Sequence, residues 1–542
     1  MDKTAALKHK DCIDLLSFTV DSTTECACQY MTLVPRGLHF AITEWVQQRI
    51  LLQQSIWVSE SEAYSHDDLT QENTTWRKGS VAAPIGTVHS QTKPDISIGY
   101  NSDRTVIWTK PGQHSYMWWQ FATAVPASDV ANQRALGPVT ALVGSWKLSG
   151  SNQRITTLHE MAEVIQSCLR SDSYRKQQFP SALRIWRQAA LSNWKDVSQR
   201  VTDDSRFVDD LWFASTDTDN PGLKFRISCM RPDDPTYSRR DLIMAVANDL
   251  VPSSWTVDLK YYDVEIVLFL KEDETDHSSH QFAVGLALHP YQYLGCHSFS
   301  SGILPPDVAP PYMTLTGIVR LRPSTAQLLL HLAGLKPGAI VLDPCVGIGT
   351  IAHECAYLKY VGLGGDIVLT PSLLGPQATT YSAAIRNEQQ RIAATLIAWD
   401  AANLPIRTGT VDAVVSDFPF GRLCLNTNKL QRLLPLMLNE IARVLRRNSG
   451  NMVLLCGHYK LVLEALEYIN YNHGADNLIW HFPCTAAFPV NIGGMLAWVL
   501  QLRRGPGIWQ PSSFAAEKVK KLTSEREIAR LNPSTKKKKL QC

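Results

Sequence analysis

The segment LDPCVGIGTIAHE, Leu342 to Glu354, constrains the fold more than any other part of this chain. An apolar run ends at Asp343, glycines follow at Gly347 and Gly349, and helical text begins directly after them. A strand, a glycine turn and a helix in that order form the opening unit of a doubly wound parallel sheet. The glycines let the loop backbone approach a ligand closely. The helix N-terminus behind them adds N–H donors and a positive dipole end. Taken alone, the loop fits a structural turn, a dinucleotide-binding G-x-G-x-x-A fingerprint, or a site for another nucleotide-like ligand.

Downstream the text keeps an alternating β–α rhythm. Strands are expected at Ile340–Leu342, Val361–Gly364, Leu396–Ala398, Val411–Val415 and Met452–Leu455, with a late pair near Leu478 and at Leu496–Leu500. Helices are expected at Thr325–Ala333, Ile351–Leu358, Ala383–Ala393 and Arg432–Leu445. Three successive strands close on an acid: Asp343, Asp366 and Asp400. Open α/β sheets bind ligands at this carboxyl edge, and an acid about 20 residues past the loop commonly bonds ribose hydroxyls. Asp400 is then placed to receive an adenine amino group.

The fourth strand runs directly into SDFPFG, Ser416 to Gly421. An exocyclic amine on a base is a poor nucleophile, because its lone pair is delocalised into the ring. Asp417 and the backbone carbonyl held near Pro419 can accept the amine's N–H bonds and aim its lone pair at an electrophilic methyl. Phe420 offers a flat face on which a flipped base can stack. With the glycine loop, this tetrapeptide reads as an S-adenosylmethionine-dependent amine methyltransferase that calls for no metal. A nicotinamide dehydrogenase has no use for SDFPFG. Cys345, Cys355 and Cys424 read as packing residues, and His353 and His458 as surface or core histidines.

Upstream, KFRISCMR alternates from Lys224, with Phe225 and Ile227 on one face and Lys224 and Arg226 on the other. A helix over Arg239–Leu250 and strands near Val264 and Phe282 complete a compact α+β module. Its basic face (Lys224, Arg226, Arg231, Arg239, Arg240) fits either a solvated sheet edge or a phosphate-binding surface. Further upstream, from Thr32, the text reads strand, turn at Gly37, amphipathic helix. Polar stretches at 59–100 and 200–222 read as insertions, and ILPPDVAPPY as a linker.

At 542 residues the chain is too long for one core. Its 45% apolar and 19% charged residues are those of a globular protein. A net charge of +3 neither demands nor excludes nucleic acid. Twelve scattered cysteines without a CxxC pair support neither a zinc ribbon nor a disulfide framework, and suit a reducing, intracellular setting. No apolar stretch is long enough to span a membrane, and the N-terminus does not read as a secretory signal.

The KFRISCMR module resembles a THUMP domain, an RNA-binding unit. LRPSTAQLLL, LDPCVGIGTI, AWDAANLPIRTGTVDAVVSDFPFGR and PVNIGGMLAWVLQLRR are similar to the THUMP domain-containing tRNA guanine-N2 methyltransferase family, of the THUMP domain-containing protein 3 type. The resemblance implies a multidomain α/β and α+β architecture. Its parts are a leader at 1–29, a ferredoxin-like domain at 30–195 carrying the polar insertion, a THUMP domain at 196–300 and a Pro-rich linker at 301–317. A Rossmann-like methyltransferase domain at 318–504 and a basic tail at 505–542 complete it.

For function, the resemblance implies methylation of the N2 amine of guanosine 6 in the tRNA acceptor stem. It also implies a heterodimer with a small zinc-binding activator subunit and a cytoplasmic, in part nuclear, location. Asp343, Gly347 and Gly349 correspond to the methionine subsite, Asp366 to the ribose and Asp400 to the adenine. Asp417, Pro419 and Phe420 correspond to the catalytic tetrapeptide, and Lys224, Arg226 and Arg231 to the RNA-binding face. Arg322, in LRPSTA, belongs to the cofactor or RNA pocket. Where the family usually has a cysteine before the first loop glycine, this chain has Val346. Methylation of another small RNA, a non-catalytic THUMP RNA-binding role, and a DNA or protein amine methyltransferase are the competing readings.

Overall fold

The computed structural model describes residues 13–15, 28–35, 37–38, 41–42, 44–46, 52–57, 116–123, 125–137, 139–148, 158–170, 178–193, 223–230, 239–259, 262–272, 280–288, 321–367, 395–420, 427–474, 476–481, 487–492 and 495–510. The polar insertions, the Pro-rich linker, the helix expected at Ala383–Ala393, Arg231 and most of the basic tail lie outside these residues. Two compact units are formed.

The first unit opens with β1 (Ile13–Leu15), β2 (Cys28–Pro35), β3 (Leu52–Trp57) and β4 (Tyr116–Thr123). Helix α1 (Ala127–Ala131), β5 (Val139–Leu148), α2 (Leu158–Leu169) and α3 (Phe179–Asn193) follow. After them come β6 (Lys224–Met230), α4 (Arg239–Leu250), β7 (Thr256–Val257), β8 (Val264–Glu272) and β9 (His280–Ala287). The strands join in one sheet, ordered β3-β4-β2-β5-β9-β8-β6-β7, with β1 on β5. Strands read from the two separate upstream segments therefore share a sheet through the antiparallel β5–β9 pair. Trp146 faces Phe282 across it, the rings stacked at 4.5 Å. Arg170, just past α2, donates to Asp249 of α4 at 2.7 Å and ties the same two segments together. Alternation reveals that a strand has a buried face but not which strand lies beside it. Within the segment read as a leader, Ile13–Leu15 pairs with β5; three residues are too few to show a period.

The chain passes from the first unit to the second within α5 (Pro323–Leu332), and the second unit then holds β10 (Ile340–Asp343), α6 (Thr350–Tyr357), β11 (Val361–Asp366), β12 (Thr395–Ala398) and β13 (Ala413–Asp417). Then come α7 (Thr427–Val444), β14 (Asn451–Cys456), α8 (Tyr459–His473), β15 (Trp480–His481), β16 (Ala487–Ile492) and β17 (Met495–Arg504), with Val490–Leu496 grouped with the first unit. The sheet order is β12-β11-β10-β13-β14-β17-β15, with β16 on β17. Strands β10 to β14 are mutually parallel, as the rhythm predicts. The last strands are not: β17 runs antiparallel to both β14 and β15, so the sheet is mixed.

Helix α8 lies outside the expected set. Its buried Val462, Ala465, Leu466 and Ile469 fall at the i, i+3, i+4, i+7 spacing of a helix face. Helix α7 begins five residues earlier than expected and carries Pro435 within it. The core on this side of the sheet joins Val414, Leu438, Ile441, Leu454 and Leu466. No described helix is long and apolar enough to cross a membrane.

Candidate active site

The glycine loop is shaped by its backbone. Gly347 has φ +52° and Gly349, the residue before α6, has φ +91°. Both angles lie in the left-handed region that side chains disfavour. A Cβ on Gly347 would meet nothing within 4 Å, so the loop presents open space there. One on Gly349 would lie 2.9 Å from His353 Nε2. The loop is tied to its neighbours: Val346 N–H donates to the Gly365 carbonyl at 2.9 Å, and Gly347 N–H donates to Asp366 Oδ2 at 3.1 Å. The acid expected at the ribose therefore also anchors the loop expected at the methionine end.

Asp343 is buried, and its Oδ1 accepts from Ser416 Oγ at 2.6 Å and from Cys345 N–H at 3.2 Å. Burial pushes its carboxyl up to about 7, and the charges of Asp417 and Asp366 push in the same direction against those two hydrogen bonds. Asp400 accepts from Ala402 N–H at 3.0 Å, closing a tight turn at the end of β12. Desolvation and the charges of Asp343, Asp366, Asp417 and Asp400 together hold the Cys345 thiol well above its ordinary value. The four acids expected from the sequence thus converge on one loop. That environment suits Cys345 as a packing residue and disfavours a thiolate nucleophile.

Asp417 ends β13, and its Oδ1 is buried without a hydrogen-bond partner among the described residues. Burial pushes this carboxyl, too, up to about 7. The next residue fixes its place: Phe418 is buried in the core, and its N–H donates to the Leu455 carbonyl at 2.8 Å. Pro419 and Phe420 are half-buried. A Cβ on Gly457, just past β14, would lie 2.8 Å from Phe420 Cδ1, so the ring rests directly on that glycine. Ser416, Trp399 and Gly457 are site residues that sequence reasoning missed. Gly457 had a signal, a glycine closing an apolar strand on the ligand-binding edge. Ser416 had only its place before Asp417.

The expected RNA-binding residues lie in the first unit. Lys224 is exposed, and its Nζ is 3.5 Å from Asp258 Oδ2. The guanidinium of Arg226 sits 5.8 Å from the Tyr262 ring centroid. Alternation on β6 holds through Ile227 and then breaks. Ser228, due outward, is buried and donates to Glu265 on β8. Beside Lys224 the outer face also carries the Asp258 carboxylate, which comes from a neighbouring segment that the strand alone does not show. Arg239 and Arg240 are exposed at the start of α4. Arg322 precedes α5, and its carbonyl accepts from Ala326 N–H at 3.0 Å.

The UPF0020 (RMKL-like) methyltransferase domain family matches residues 380–473, a span that includes Asp400, Asp417, Phe420 and Gly457. A Bos taurus protein named tRNA (guanine(6)-N(2))-methyltransferase THUMP3 is 28% identical over 54% of this chain and 54% of its own length. A second Bos taurus protein, named U6 snRNA (guanine-N(2))-methyltransferase THUMPD2, is 27% identical over 48% of each. The chain thus spans about half the length of these curated relatives. The crystal structure of TrmN from Thermus thermophilus aligns with 88% of this chain and 99% of its own, at 16% identity and a TM-score of 0.46. Over about half its length, then, the chain is similar to the THUMP-type guanine-N2 methyltransferases of tRNA and U6 snRNA, and residues 380–473 match a methyltransferase domain.

Proposed function

We propose that this chain is an S-adenosylmethionine-dependent RNA methyltransferase that methylates the N2 amine of guanosine 6 in the tRNA acceptor stem. The observation that carries the reading is the buried Oδ1 of Asp417, without a partner among the described residues, at the end of the strand beside the one that ends in Asp343. A buried acceptor without a donor is costly, and an amine N–H supplies that donor. The residues present also fit the cofactor. The loop is open at Gly347, a helix N-terminus stands behind it, and acids end the next two strands. Asp343, Gly347 and Gly349 would hold the methionine part, Asp366 the ribose and Asp400 the adenine.

When bound, the cofactor supplies an electrophilic methyl group. Asp417 and the carbonyl near Pro419 accept the amine's N–H bonds, and Phe420 stacks on the base. These contacts fix the lone pair's direction, and a carboxyl raised to about 7 is matched to taking up the proton that the amine loses at neutral pH. Gly457→Ala is expected to displace the Phe420 ring and lower kcat by on the order of 10- to 100-fold. Affinity for S-adenosylhomocysteine, measured by calorimetry, should stay at the wild-type value; a fall in that affinity would place Gly457 in the cofactor site instead.

Residues 30–195 and 196–300 are read as the ferredoxin-like and THUMP parts of an RNA-gripping unit. A small zinc-binding subunit is the proposed partner, and the cytoplasm the proposed location. Exchanging Lys224, Arg226 and Arg231 for Glu should weaken tRNA binding and reduce its salt slope by roughly 0.7 to 0.9 for each phosphate that is no longer neutralised. An unchanged slope in a filter-binding titration would remove this face from the RNA interface. The chemistry is tested with tRNA transcripts bearing guanosine or inosine at position 6, since inosine lacks the N2 amine. Methyl transfer to the first and not the second is expected; equal transfer would contradict the proposed target. Preference for U6 snRNA would favour the second relative's activity.

A further inference from the structure

Trp399 stands immediately before Asp400, and the sequence around it shows only the end of a strand. Its side chain is 7% exposed, and its Nε1 donates to the Pro344 carbonyl at 3.1 Å. Its ring lies flat against β11, where a Cβ on Gly365 would sit 2.2 Å from Cε2 and 2.4 Å from Cδ2. Its backbone N–H donates to the Asp366 carbonyl at 3.0 Å. Pro344, Gly365 and Trp399 are the chain neighbours of Asp343, Asp366 and Asp400. A single residue therefore touches all three strand ends that carry the acids of the cofactor site.

Much of the indole also belongs to the core, and filling the core needs no N–H. The hydrogen bond to Pro344 is a separate device. It fastens the first residue of the glycine loop to the third strand, while Val346 fastens the same loop to the second. We propose that Trp399 is a positioning residue that sets Asp343, Asp366 and Asp400 at the mutual spacing that S-adenosylmethionine requires. This rests on the function proposed above.

Trp399→Phe keeps most of the apolar contact and removes the donor. With S-adenosylhomocysteine as probe, calorimetry is expected to show affinity lowered by about tenfold, since a buried carbonyl loses its partner. Hydrogen–deuterium exchange should quicken at 345–349 and stay unchanged in β14. A residue that only fills the core would instead lower the melting temperature and loosen β14 without a selective loss of affinity. Should the phenylalanine variant not fold, Trp399→Leu, also without a donor, serves the same comparison. Equal affinity and equal loop exchange in variant and wild type overturn the proposal. A wild-type protein that does not bind S-adenosylhomocysteine overturns the proposed function and the cofactor role together, and the loop exchange of the variant then still reports whether Trp399 fastens the loop.

Discussion

Asp417→Ala is expected to lower methyl transfer by on the order of 10³-fold while leaving S-adenosylhomocysteine affinity within about twofold of wild type. The side chain is positioned for the acceptor: its Oδ1 is buried, has no partner among the described residues, and sits at the end of β13. The residues proposed to hold the cofactor lie at the ends of β10 and β11, just past β12 and in the loop after β10. Removing the carboxylate therefore takes away the group that receives the amine without disturbing the glycine loop or the turn at Asp400. The fold around it is held independently, by Phe418 in the core and by its N–H bond to Leu455. Single-turnover transfer and calorimetry separate the two effects. A variant that loses affinity for S-adenosylhomocysteine and keeps its single-turnover rate would move Asp417 into the cofactor site.

The second large effect concerns pH. Burial pushes both Asp343 and Asp417 up to about 7. Asp417 works as an acceptor only when ionised, so kcat/KM should fall about tenfold per unit as pH drops below about 7 and level off above it. The two carboxyls influence each other, so the rising limb belongs to the pair. A flat profile between pH 5 and 8 would contradict this role.

The same shift predicts the sign of a stability effect. A carboxyl that titrates near 7 when folded and near 3.8 when unfolded binds more protons in the folded state between those values. Stability is then fully present at low pH and is lost as pH rises toward 7, by up to about 4 kcal/mol for a shift of this size. Asp343→Asn, which stays neutral and can still accept from Ser416, should melt higher than wild type at pH 8 and equally at pH 4. A lower melting temperature at pH 8 with equal melting at pH 4 would show that the ionised carboxylate stabilises the fold.

The site was legible because its chemistry is local in sequence. Asp343, Gly347 and Gly349 occupy one strand–loop–helix, and Asp417 to Phe420 one strand end. Period and turn chemistry therefore place them without knowledge of what packs against them. Residues that act across the sheet were not legible. Ser416 reaches Asp343 on a neighbouring strand, Trp399 reaches Pro344, and Gly457 is defined by a ring 37 positions earlier in the chain. The same limit explains the basic face. Lys224 and Arg226 read as outward cations, while Asp258, Tyr262 and Glu265 beside them arrive from β8 and the turn before it. It also explains the shared sheet of the first unit, where β5 and β9 lie 132 residues apart at their Leu148–His280 partners.

If Asp417 and Phe420 direct a methyl group to a guanine amine in tRNA, the product nucleoside itself carries the proof. The most direct measurement incubates total RNA with the protein, the proposed activator subunit and isotopically labelled S-adenosylmethionine. Digestion and mass spectrometry then identify the labelled nucleoside and its position. Label is expected in N2-methylguanosine at position 6 of tRNA, and is expected to be absent with Asp417→Ala. Label in another nucleoside, or undiminished label with the Asp417→Ala protein, would contradict that role.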